Sequence, residues 1–307
     1  MNKNNVIVSR VLAVITMIIW SITFVSTKIL LDYFSPTDLL LVRVIIALAF
    51  SEIISPKIQP FMGWKTELFC VLTALSGVGF YQLAENYALS FTSASQVSVI
   101  VSTAPLLTIL VAVILKKIKA PSFNYILGFL LAIGGISLIC FQSGFGHTSV
   151  KGLSLAFLAA LCWAIYSFAF GKVVSLGVED RTITKRMFFY SIPFLIPFSL
   201  TDGNAIDYSS FLNWKVIVNM LFLAVVAQAT AFLLWNKALK GLGAIEANIY
   251  IYLVPSITAL FSVLILGEPF TMFSFVGTVL VLVGLCFSDS SIVERIKKKW
   301  LAKSGIK

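Results

Sequence analysis

Charge is what this sequence has least of. Charged residues occupy 12% of its 307 positions, where a soluble domain carries about 25%. There is a single histidine, His147, placed in a polar loop, so it reads as solvated rather than catalytic. No HExxH, GxSxG or GxxxxGK(S/T) pattern occurs, which leaves an intramembrane enzyme or an ATP-driven pump without its chemistry. The four cysteines, Cys70, Cys140, Cys162 and Cys286, fall within or at the ends of apolar runs, and no two have metal-ligand spacing. They read as packed thiols, with neither disulfide nor metal implied. No cofactor is expected. No stretch between the apolar runs is long enough to fold as a soluble domain.

What is present is apolar length. Hydrophobic residues make up 59% of the chain, and the mean hydropathy is +0.99. Runs of about 20 apolar residues suffice to span a bilayer. Ten such runs lie near 11–31, 37–55, 66–87, 94–115, 122–141, 152–173, 184–200, 215–236, 244–266 and 272–288. In hydrocarbon the backbone must satisfy its own hydrogen bonds, so runs this apolar read as helices. The alternation a membrane barrel needs is missing. The basic, apolar N-terminus resembles a signal peptide, but no small-residue cleavage site follows and the run is long enough to span. The expected fold is all-α, with ten transmembrane helices.

The formal net charge of +10 on a soluble protein would suggest nucleic acid; the positions of the charges suggest topology instead. With the N-terminus in the cytoplasm and ten helices threaded, every one of the 23 basic residues except Lys28, Arg43, Lys151 and Lys215 falls on the cytoplasmic side. The positive-inside rule thus favours ten helices with both termini inside. The basic tail, 291–307, reads as a topology anchor, with contact to anionic lipid as the alternative.

The chain says one thing twice. NYALSFTSASQVSVIVSTAP runs from Asn86 to Pro105, and NKALKGLGAIEANIYIYLVP from Asn236 to Pro255, 150 residues later. Beyond the prolines, Thr108, Leu110 and Val113 match Thr258, Leu260 and Val263. Gly128 and Gly135 match Gly277 and Gly284. The stretch from Trp20 to Lys28 matches that from Trp163 to Lys172 more loosely. Each half, 8–142 and 150–290, then holds five helices. Five is odd, so the second half enters the membrane inverted. Inverted repeats suit carriers, whose two halves can exchange conformations around a central site.

The Trp20–Lys28 stretch, LLLVRVIIALAF around Arg43, the two proline-closed segments and LGEPFT at 266–271 together make the chain resemble the drug/metabolite transporter superfamily, EamA type, over its whole length. The resemblance implies two five-helix repeats, a small-metabolite export carrier and alternating access. The GE of LGEPF occurs once: the first half has KKIKAP at 116–121 instead.

The cavity candidates follow from depth and chemistry. Pro105 and Pro255 fall mid-helix, where each removes a donor, so helices four and nine read as bent, gating segments or as static kinks. Trp20 and Trp163 lie near mid-bilayer, away from the interface tryptophan prefers. With Phe24, Tyr81, Tyr166 and Tyr252 they read as an aromatic box or as core packing. Ionisable groups in the membrane invite a functional reading. Arg43 would meet a substrate carboxylate or a protein acid. Glu85 would be a proton-coupling group or an outer-gate partner, with Lys28 or Arg43 as its pair. Ser102, Gln228 and Asn248 are polar groups at similar depth. Asn86 and Asn236 read as interhelical glue. Glu52 reads as snorkelling, and Glu246 as either hydrated or functional. The glycine stripe is a packing signal and, alternatively, a dimer surface, leaving monomer and homodimer open.

The leading expectation is a secondary transporter of the bacterial cytoplasmic membrane, in contact with lipid. It would export small metabolites, most plausibly amino acids, with or without proton coupling. A lipid or lipid-linked-sugar flippase, or a channel, are the alternatives.

Overall fold

A computed structural model describes residues 3–56, 60–116, 123–141, 149–201, 208–268 and 271–288. The described residues form ten helical rods and no strand. They are α1 (Lys3–Leu30) and α2 (Pro36–Ile54), α3 (Trp64–Phe91) and α4 (Ala94–Ile114), and α5 (Phe123–Phe141). The second set is α6 (Val150–Ser175) and α7 (Asp180–Thr201), α8 (Trp214–Leu242) and α9 (Ala244–Leu266), and α10 (Met272–Ser288). Six of them, α1, α3, α4, α6, α8 and α9, are long and apolar enough to cross a membrane. In α5 and α10 the apolar stretches are shorter, Ile126–Gly135 and Met272–Gly284. α2 carries Asp38, Arg43 and Glu52, and α7 carries Asp180, Arg181, Lys185 and Arg186. His147, Lys117 to Lys119 and the basic tail lie outside the described residues.

Local chemistry sets the helix starts. Ser35 accepts from the Asp38 amide and precedes Pro36, so α2 begins with a side-chain cap and a residue whose φ is already helical. Ser93 and Ser149 cap α4 and α6 in the same way. α8 ends and α9 begins at Gly243, whose φ of 82° a side-chain-bearing residue rarely adopts.

The rods are interrupted at matching places. α4 loses its helical ladder at Ser102–Thr103, and Pro105 stands in the first turn where it resumes. α9 tightens to a 3₁₀ turn at Ile249–Leu253, and Pro255 stands in the first turn beyond it. α3 widens to a π turn at Leu75–Gly79, and α8 at Phe222–Thr230. π turns concentrate at functional sites.

Packing repeats as well. α3 lies on α6 as α8 lies on α1; α2 lies on α8 as α7 lies on α3; α4 lies on α6 as α9 lies on α1. α2–α7, α4–α9 and α5–α10 each pair a helix with its own counterpart. The α5–α10 seam shows the geometry closely. A Cβ on Gly135 would stand 2.5 Å from the Gly277 carbonyl, and one on Gly284 would stand 2.5 Å from that of Gly128. The two contacts exchange when the halves exchange, and they run in opposite chain directions. The glycine stripe is therefore filled within one chain, by backbone-to-backbone packing of the kind small residues permit.

Cys70 and Cys162 are buried thiols and Cys286 is exposed; among the described residues none is in a disulfide.

Candidate functional site

The interior of the bundle holds an aromatic cluster joined to a polar one. Trp20 from α1 and Trp163 from α6 meet with ring centroids 5.1 Å apart. Phe232 and Trp235 of α8 lie 5.2 and 5.5 Å from Trp20. Tyr166 and Tyr81 each lie 4.9 Å from Trp163. Two of these three indoles donate a hydrogen bond, and the N–H of Trp235 is buried without a partner. Trp20 donates to the carbonyl of Ala227 in the widened turn of α8, at 3.1 Å. Trp163 donates to Asn248 Oδ1 at 2.9 Å. Asn248 in turn donates to Ser167 Oγ at 3.0 Å, to the Ala244 carbonyl at 2.7 Å and, more weakly, to Thr108 Oγ1 at 3.4 Å. Three helices, α4, α6 and α9, thus converge on Asn248.

Tyr81 leads from the aromatic cluster to the polar one. Glu85 stands one turn further along α3 and is buried. Arg43, on α2 and only 4% exposed, sends Nε and Nη2 to Gln228 Oε1 on α8, at 3.0 and 2.8 Å. Gln82 of α3 donates to the same oxygen at 3.0 Å. Arg43, Gln82, Glu85 and Gln228 are all buried, where an unpaired charge costs several kcal/mol.

The sequence-predicted residues therefore divide. Trp20, Arg43, Tyr81, Glu85, Trp163, Tyr166, Gln228 and Asn248 come together. Phe24 is buried in the surrounding apolar core. Ser102 sits at the break of α4, its hydroxyl on the Ser98 carbonyl at 2.7 Å and near that of Ile251 at 3.4 Å. Tyr252 packs in a separate cluster with Val99, Leu106, Ala132 and Val281. Lys28 reaches the carbonyls of Leu89, in the last turn of α3, and Thr92, just beyond it, at 2.5 and 3.0 Å. Asn86 donates to the Pro36 carbonyl, joining α3 to α2, and Asn236 donates to Thr184, joining α8 to α7, at 3.0 and 2.9 Å. Glu52 accepts from Lys185 at 2.8 Å and Glu246 from Arg10 at 2.7 Å.

Two contributors escaped the sequence reading. Gln82 lies one turn before Glu85 on a mostly apolar helix, a polar i, i+3 pair that depth alone could have flagged. Glu268 had a signal, the GE present in one half only, but not a partner. Its carboxylate accepts from the Ala94 amide at 2.8 Å, the Ser95 amide at 3.2 Å and the Ser95 hydroxyl at 2.7 Å. The turn after α9 thereby caps α4, a helix of the other half, and places negative charge where a helix N-terminus favours it.

A cavity of about 680 Å³ runs beside the Trp163–Asn248 network. Ser167, Phe170, Lys172, Leu239, Lys240 and Gly243 are among its walls. Since Lys172 and Lys240 stand in the last turns of α6 and α8, the cavity reaches one end of the bundle. The counterpart region at the opposite end lies between α1, α3, α4 and α9. There Lys28 and Glu268 bridge the helices. Among the described residues no group of three or more His, Cys, Asp or Glu is placed to hold a metal.

The geometry agrees with what the chain is similar to. The family model described as "EamA-like transporter family" matches residues 9–141 and again 150–288. An uncharacterized transporter of Archaeoglobus fulgidus is 26% identical over 289 residues, covering 90% of this chain and 96% of that protein. The uncharacterized transporter YyaM of Bacillus subtilis is 27% identical, covering 90% and 91%. A protein of Escherichia coli named a probable amino-acid metabolite efflux pump is 25% identical over 284 residues, covering 90% and 92%. A solved crystal structure superimposes with a TM-score of 0.65 at 16% identity, over 91% of this chain and 97% of that one; at that identity the likeness concerns the fold.

Proposed function

We infer the activity from one established point, that this chain belongs to the EamA-like transporter family and is a multi-pass membrane protein. It is a secondary carrier that exports a small metabolite, an amino acid or a close relative, by alternating access. The observation that carries this reading is an inequality between the two ends of a symmetric bundle. One end is entered by the 680 Å³ cavity that reaches Ser167. The matching region at the other end is bridged by Lys28 of α1, which reaches α3, and by Glu268 after α9, which reaches the start of α4. Two halves of like packing and opposite orientation can trade these states at small energetic cost. The interrupted turns of α3, α4, α8 and α9 are where such an exchange bends the rods, with Pro105 and Pro255 as hinges. By the distribution of basic residues, the open end faces the cytoplasm and both termini lie there.

The aromatic cluster between the two ends suits a small enclosed ligand with an apolar or aromatic side chain. A long lipid would need a lateral path. An apolar groove of about 700 Å³ does open between α4, α5 and α6, walled by residues such as Leu106, Ile109, Phe129 and Phe157, and this is the feature that favours a flippase as second reading.

Counterflow in proteoliposomes decides between them. Vesicles holding the purified chain are loaded with a pool of amino acids and related metabolites, and losses are followed by mass spectrometry. Saturable loss, accelerated by the same compound outside, is expected. Headgroup scrambling without metabolite counterflow would transfer the assignment to a flippase; a flux that neither saturates nor shows counterflow would make it a channel.

A further inference from the structure

At the corner where α2 ends and α7 begins, α8 runs alongside both, and the three enclose a cleft that the carrier reading does not use. It measures about 220 Å³, below the roughly 300–1,000 Å³ of a pocket that encloses a whole small molecule. Its walls are largely hydrocarbon: Phe50 and Ile54 of α2, and Ala229, Leu233 and Leu234 of α8. The hydroxyls that border it are spent on backbone. Ser51 donates to the Ala47 carbonyl at 2.7 Å, Thr184 to that of Asp180 at 2.9 Å and Thr230 to that of Val225 at 2.9 Å. Water finds few partners on such walls. Ile54 is exposed beside Ile53, so the lip of the cleft is apolar as well.

Three cations gather at one end of it. Arg181, Lys185 and Lys237 line the cleft where α2 and α8 approach their last turns and α7 starts. Along α8, Ala229, Leu233 and Lys237 follow one another at four-residue spacing on one face, with the charge nearest the end of the rod. Lys185 is buried and donates to Glu52 at 2.8 Å and to the Ser55 carbonyl, which leaves one of its three donors. Glu52 offsets that charge, and Asp180 is engaged by Lys240 at 3.1 Å. Among the described residues, Arg181 and Lys237 are in no ion pair. The positive-inside rule accounts for basic residues at this end of the bundle. It does not account for three of them converging from two helices on one apolar cleft.

Charge at the mouth and hydrocarbon within match the outline of a phospholipid. A soluble anion gains nothing from the apolar wall, and a lipid without net charge gains little from the cations. We propose that the α2–α7–α8 cleft binds one anionic phospholipid from the leaflet at this end of the bundle. Its phosphate sits between Arg181 and Lys237, and the upper part of one acyl chain lies along Phe50, Ala229 and Leu233. Basic recesses between membrane helices take anionic headgroups in this way. The site is separate from the 680 Å³ cavity, which is walled by α3, α4, α6 and the end of α8, and it stands whether or not the chain is a carrier.

Native mass spectrometry of the full chain in detergent micelles tests this, with phosphatidylglycerol and phosphatidylethanolamine of the same acyl chains. One phosphatidylglycerol is expected to bind at least about fivefold more tightly than phosphatidylethanolamine, and Arg181→Gln and Lys237→Gln should each weaken it by about fivefold, the effect of one basic residue near anionic lipid. Both side chains are exposed, so Tm in lipid-free micelles should match that of the wild type. Lys65→Gln and Lys116→Gln remove exposed charges from the same end of the bundle and should leave the affinity unchanged. Thr230→Phe fills the cleft from an exposed position with every cation in place, and it too should weaken binding. Glycerophosphoglycerol, the headgroup without its chains, should not displace the lipid even in large excess. Equal affinity for the two lipids, undiminished binding in the Arg181→Gln, Lys237→Gln double variant, or losses of the same size in Lys65→Gln and Lys116→Gln would each overturn the site. Displacement by glycerophosphoglycerol would make it a site for a soluble phosphate ester and end the lipid assignment.

Discussion

The indole of Trp20 meets that of Trp163 edge to face, with planes at 90° and centroids 5.1 Å apart. The two occupy corresponding places in the two halves, so the bundle's internal symmetry brings a residue against its own counterpart. Their polar edges diverge: one N–H reaches Ala227 and the other Asn248. Trp163→Phe keeps the ring contact but leaves Asn248 Oδ1 buried without its donor. We expect a loss of about 1–3 kcal/mol, read as a lower Tm. Trp20→Phe loses a bond to a backbone carbonyl of a part-buried group, and the expected loss is nearer 1 kcal/mol.

The α5–α10 seam gives a sharper test because it contains its own control. Gly284→Ala places a methyl 2.5 Å from the Gly128 carbonyl and 2.8 Å from the Ala132 amide, neither of which can move alone. The helices must separate, and overpacking of this kind costs about 1–3 kcal/mol. At Gly134, one residue from the seam, a Cβ meets nothing within 4 Å. Gly134→Ala should instead stabilise the helix by up to about 1 kcal/mol. Thermal unfolding of the two variants side by side should show shifts of opposite sign.

Glu268 holds α4 across the two halves by three hydrogen bonds. Glu268→Ala removes a cap, at a cost of about 0.5–2 kcal/mol, and it removes that stabilisation from the closed arrangement of this end only. Thr92 is 7% exposed here. In a variant whose native cysteines are replaced by alanine, a cysteine at position 92 should react with a thiol reagent faster when Glu268→Ala is added. Equal rates would mean that the cap does not hold this end shut.

Glu67 is the acid on which the start of α3 and the middle of α7 agree. It pairs with Arg186 at 3.0 Å, accepts from the Tyr190 hydroxyl at 2.5 Å and from the Met62 amide at 3.2 Å. Both charged side chains are nearly enclosed, at 12% and 6% exposure. Removing one partner of such a pair costs about 3–5 kcal/mol, so Glu67→Leu should lower Tm more than any single substitution in the half-buried Arg10–Glu246 pair.

How much of this the sequence discloses depends on the range of the interaction. Helix placement follows from local apolar length, and the helices stand where hydropathy puts them. Their ends move where a cap or a glycine acts: α8 runs to Leu242 because Gly243 takes the positive φ that stops it. Depth also brought Arg43, Tyr81, Glu85, Trp163 and Gln228 under suspicion, and these do assemble. Partnership is what composition hides. Glu52 and Glu246 look like solvated ends until Lys185 and Arg10 arrive from 133 and 236 residues away. Tyr252 has the right depth and faces a different cluster, because facing is decided by rotation about the rod. π turns leave no pattern in a single sequence, although they position Gln228.

The glycine seam has a consequence for assembly. Gly128 and Gly135 on α5 fit Gly277 and Gly284 on α10, and the fit survives exchange of one half for the other. Each half therefore ends in a surface complementary to an upside-down relative of itself. The peptide link between Phe141 and Val150 is then needed for stoichiometry more than for recognition. Two halves made as separate chains would still carry, in their last helices, the means to find one another in opposite orientations within the same bilayer.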